Sequence, residues 1–148
     1  MYLGVDYYPE HWDENMIDED LDNIIELGSN VIRIGEFAWH MMENVEGNYD
    51  FSYFDRVIKK AKEKNILLEV NNSSLSPNTS REGARENILK YLELCKEYGV
   101  RIIMGTDSHI CYDIGVFQYA EAIIEEANFP KELVINYWED QIIEFFGI

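Results

Sequence analysis

Basic residues are scarce in this chain. Twelve Lys and Arg stand against 29 Asp and Glu, and the formal net charge is −17 over 148 residues. A field of that sign repels phosphate backbones and anionic bilayers, which argues against nucleic acid and membrane surfaces as partners. Cysteine is scarce too. The two that occur, Cys95 and Cys111, are spaced like no zinc or redox motif. They are expected to be reduced thiols, in or near the core of a cytosolic protein. No stretch approaches the roughly 18 apolar residues of a membrane span. The N-terminal run Met1 to Asp6 lacks a basic segment and reads directly as a strand, so no signal peptide and a cytoplasmic location are expected. A Gly-rich phosphate loop, a nucleophile elbow and a Cys–His pairing signature are all missing.

What the chain does have is apolar material. Hydrophobic residues make up 47% of it, which excludes disorder and is enough for an ordinary single-domain core. The acidic excess is spread along helix faces, as at Asp18, Glu19, Asp20 and Asp22, and at Glu125 and Glu126, in the manner of a solvated exterior.

Along the chain, strands and helices alternate. Tyr2 to Tyr7 is a β-prone run ending before Pro9. Asp13 is a suitable N-cap for a helix whose apolar stripe is Ile17, Leu21, Ile24 and Ile25, with Gly28 placed as its terminating glycine. Residues 30–36 read as a strand and 37–50 as a longer loop. Ser52 can cap a second helix that runs to Lys64, with four lysines near its negative end. Residues 66–70 form a continuous apolar strand, 71–79 a polar loop, and 82–98 a helix followed by Gly99. Strands are expected at 100–104 and 133–135, and helices at 116–127 and after Trp138.

Strands recurring about every 30 residues with helices between them are βα units. Apolar strands between amphipathic helices indicate a parallel sheet covered on both faces. The expected fold is therefore a single α/β domain over residues 1–148, with about five βα units. It would be either a partial TIM-barrel-like wedge or an open flavodoxin-like sheet.

Two family resemblances follow. Leu3 to Trp12, then Val31 to Trp39, Glu46 to Phe51 and Phe54 to Ile58 resemble the N-terminus of the family-42 glycoside hydrolases, the β-galactosidases. This covers residues 1–65 and implies the first two βα units of a TIM barrel. From about Leu67 the text changes. Leu68 to Leu75, Gly83 to Asn87, Met104 to His109 and Asn128 to Phe146 resemble the late strands of the PHP-family metal-dependent phosphoesterases. That resemblance covers residues 67–148. The join implies a chimera of barrel fragments, engineered or natural.

The first resemblance implies sugar-contact or support residues at strand ends: Asp6, Glu10, His11, Arg33 and Glu36. The two catalytic carboxylates of such galactosidases lie on later strands, outside the resembling text. Arg33 and Glu36 can instead pair with each other, and His11 beside Trp12 can be a packed or capping residue. The second resemblance implies that Asp107 and His109 are the family's last pair of metal ligands, while its opening His-x-His is missing. Two protein ligands hold a divalent ion such as zinc or manganese weakly. The alternative is that Asp107 caps its loop and His109 is a spectator.

Three functions follow: a scaffold without native catalysis; a metal-dependent phosphoesterase-like hydrolase using Asp107 and His109 with acids such as Asp6 and Glu36; and a carbohydrate-binding remnant using Arg33, Glu36 and Trp39. A homodimer is expected, because a wedge of about five strands leaves edges and apolar surface for a second copy to cover. Phe37, Trp39, Tyr137, Trp138, Phe145 and Phe146 are the aromatic residues suited to that contact.

Overall fold

The computed structural model describes residues 3–35, 38–78 and 83–147. Glu36 and Phe37 therefore lie outside the described residues. The chain divides into two compact units, Met1–Leu68 and Glu69–Ile148.

Unit 1 begins with strand β1, Gly4–Asp6. The chain then takes two 3-10 turns, Pro9–His11 and Glu14–Met16. Asp13 caps the second of these, its Oδ1 accepting from the Asn15 amide at 2.9 Å. Helix α1, Ile17–Glu26, continues from that turn and buries Ile17, Leu21 and Ile24. Ile25 lies on the flank of this stripe and is 41% exposed. Gly28, at φ +82°, ends the helix, and the amides of Gly28 and Ser29 bond back to Ile25 and Ile24 in a Schellman motif.

Strand β2, Val31–Arg33, pairs in parallel with β1. Its other edge pairs in parallel with the start of β5, Leu67–Asn71, the strand that runs from unit 1 into unit 2. Over residues 37–50 the sequence indicates a plain loop. The structure has a short helix α2, Trp39–Met42, and an antiparallel hairpin of β3, Glu43–Val45, and β4, Asn48–Tyr49. Gly47, at φ +78°, makes that hairpin's tight turn possible.

Helix α3, Ser52–Glu63, buries Phe54, Val57, Ile58 and Ala61 and packs against α1. Ser52 is its first residue rather than its cap. The capping oxygen is Asp50 Oδ1, which accepts from the Ser52 amide at 2.9 Å. The lysines of α3 answer the acids of α1: Lys60 meets Asp18 at 3.1 Å, and Lys64 pairs with Asp22.

In unit 2, helix α4, Ala84–Tyr98, buries Ile88, Leu92 and Cys95 and ends at Gly99 in the left-handed region, as the sequence indicates. Strand β6, Ile102–Gly105, is hydrogen-bonded to β5. Helix α5, Gln118–Glu126, packs on α4. The expected fifth strand shrinks to one parallel bridge, Ile102 with Val134, between two 3-10 turns. The reason lies in Asn136. Its side chain takes both main-chain groups of Met104: Oδ1 accepts from the amide at 2.7 Å, and Nδ2 donates to the carbonyl at 3.1 Å. An amide side chain thus does what a neighbouring strand would do. Helix α6, Glu139–Phe146, closes the described chain.

Candidate functional site

Parallel strands place their C-terminal ends on one rim, and side chains there are the ones a barrel offers to ligands. In unit 1 the rim residues come from β1, β2 and the turn after β1. Asp6 and Arg33 end their strands in register, and Arg33 Nε lies 3.5 Å from Asp6 Oδ1. Arg33 reaches across the ladder to Asp6; Glu36, its other possible partner from the sequence, lies outside the described residues.

Glu10 sits in the turn Pro9–His11. Both of its carboxylate oxygens are shielded from solvent and lack a hydrogen-bond partner among the described residues, as does the Tyr53 hydroxyl. Burial, and then the Glu10 charge, push the Tyr53 hydroxyl above its ordinary pKa. The Tyr7 hydroxyl donates to Asp20 Oδ2 at 3.0 Å, and burial followed by that bond raises its pKa strongly. His11 is exposed and stacks on Tyr8, with ring centroids 5.5 Å apart. Asp6 also lines an open apolar cavity of about 430 Å³ beside β1, with Trp12, Met16 and Leu27 on its walls.

In unit 2 a second cavity of about 390 Å³ is lined by Asn72, Ser73, Thr106, Asp107, Ser108 and His109, among others. Asp107 has φ +50°, a left-handed conformation uncommon for a residue with a Cβ. His109 Nδ1 lies 3.0 Å from the Asp107 carbonyl oxygen. A carbonyl only accepts, so Nδ1 carries the proton in that bond and Nε2 keeps its lone pair. Among the described residues, no group of three or more His, Cys, Asp and Glu could hold a metal ion.

Sequence reasoning missed Asn72. Its Oδ1 accepts from the amides of Tyr119 and Ala120, both at 3.0 Å, and so caps α5 from 47 residues away. Asn71 does similar work locally, accepting from the Ser74 amide and hydroxyl. The signal was the run Asn71-Asn72-Ser73-Ser74, a dense set of backbone-bonding side chains directly after an apolar strand.

The family model described as beta-galactosidase, glycoside hydrolase family 42, matches residues 6–128. This chain belongs to that family. The match runs well past the first 65 residues, whose text shows the resemblance most plainly. The family-42 chain is 36% identical to beta-galactosidase BgaA of Clostridium cellulovorans over 126 residues, 84% of this chain and 18% of that protein. It is also 47% identical to a probable phosphatase of Clostridium acetobutylicum over 91 residues, 62% of this chain and 36% of that protein. Together these shares exceed the whole chain, so some residues are matched by both kinds of relative. The family-42 chain thus spans about a third of the length of that phosphatase relative and about a fifth of BgaA. Among solved structures, the beta-galactosidase of the psychrophilic Marinomonas ef1 superposes with a TM-score of 0.51 at 19% identity, over 76% of this chain and 22% of that one. The enzyme from Bacillus circulans sp. alkalophilus gives 0.50 at 18%, over 100% of this chain and 28% of that one. At such identities these likenesses establish the fold alone: a parallel α/β fragment of a barrel.

Proposed function

We propose that these 148 residues form a barrel-fragment scaffold without catalysis of its own. The pairing of Asp6 with Arg33 carries this reading. A retaining glycosidase works with two carboxylates about 5 Å apart, one as nucleophile and one as acid/base. The resembled family carries that pair on later strands than β1 and β2, and the rim carboxylate Asp6 here stands beside a guanidinium. An ion pair of that kind is itself no acid–nucleophile couple. The chain is read as a chimera, a β-galactosidase-like piece over residues 1–65 joined to a PHP-like piece over 66–148. Two observations support that reading: relatives of both kinds exist, and the compact units divide at Leu68/Glu69, close to where the text changes. The test is a screen of chromogenic glycosides and phosphate monoesters with the purified chain. Rates equal to buffer are expected, and turnover of either class would reject the scaffold.

A second reading is a metal-dependent phosphoesterase-like hydrolase. The His109 Nδ1 bond to the Asp107 carbonyl favours it, because a ring held in that way presents Nε2 to a cation. Asp107 and His109 would hold zinc or manganese, which when bound supplies Lewis-acid activation of water. In a third reading, Asp6, Glu10, His11, Arg33 and Glu36 keep sugar contacts after catalysis is lost, and a calorimetric titration with galactose tests it.

Homodimerisation belongs to the same proposal. Helix α6 buries none of its residues, and Tyr137 and Trp138 are 39% and 42% exposed. Light scattering at tens of micromolar chain should report a dimer, whereas a monomer mass would leave the open sheet unpaired.

A further inference from the structure

We draw no further inference here: the strongest candidate, the surface patch of Ile110, Tyr112, Ile114 and Val116 in the segment after β6, exposes its apolar side chains at alternate positions, but nothing in the structure shows what covers it.

Discussion

Asp6 and Arg33 are register partners at the C-terminal ends of β1 and β2, and their side chains pair across the ladder, Nε to Oδ1 at 3.5 Å. Both are partly open to solvent, Asp6 about half, and pairs of that kind contribute roughly 0–1 kcal/mol. Arg33→Gln should therefore lower unfolding stability by less than about 1 kcal/mol in urea titrations, with the m-value unchanged. A loss several times larger would show that the pair organises the fold and is not a rim feature.

Asn72 should matter far more, although it touches no rim charge. Its buried Oδ1 takes two amides at the start of α5. Asn72→Ala leaves those donors unmet and should cost about 1–2 kcal/mol. Asn72→Asp keeps the acceptor and adds negative charge at the helix N-terminus, so it should recover most of that loss. Equal losses in both variants would mean that the amide's shape, not the cap, is what α5 requires.

The two cysteines should separate cleanly. Cys95 is buried and its thiol is pushed up to about 12, chiefly by burial, while Cys111 is exposed. One thiol per folded chain should react with a neutral alkylating reagent at pH 8, and both after unfolding. The same shift sets a pH dependence. Above pH 9.0 the unfolded chain releases the Cys95 proton and the folded chain keeps it, so the unfolded state binds fewer protons and stability falls. The fall should run from about pH 9 to 12. Tyr91, raised by burial and then by Cys95 and Glu69, adds to it at the upper end. Cys95→Ala should flatten the lower part of that slope.

In the metal reading, Asp107 and His109, which line one cavity, would be the two ligands, and among the described residues no group of three or more His, Cys, Asp and Glu could hold an ion. Zinc or manganese should be lost on dialysis against chelator, as read by elemental analysis. Stoichiometric metal that survives extensive dialysis and is lost in His109→Ala would establish a site stronger than two ligands can make.

The sequence was most legible where one physical cause dominated. Ile17, Leu21 and Ile24 marked α1 by spacing, Gly28 and Gly99 marked helix ends by their left-handed backbone, and the apolar run at residues 66–70 marked β5. It was less legible where a side chain replaced a backbone partner. Asn136 substitutes for a strand beside Met104, so Leu133 to Ile135 did not become the strand that their β-propensity indicated. Asn72 caps a helix 47 residues away, a relationship that no local pattern encodes. The hairpin of β3 and β4 was hidden because its strands are only three and two residues long, too short to show alternation. At the rim, Asp6 and Arg33 were both legible as candidates, but their pairing depends on strand register, which the sequence leaves open.

Hydrolysis of a chromogenic β-galactoside by the purified 148-residue chain tests the scaffold most directly. A retaining glycosidase needs two carboxylates about 5 Å apart, which the resembled family carries on later strands, so on the scaffold reading the rate should equal that of buffer across pH 5–8 at high enzyme concentration. Turnover that stays constant per mole of chain through successive purification steps, and is abolished by Glu36→Gln, would contradict the account.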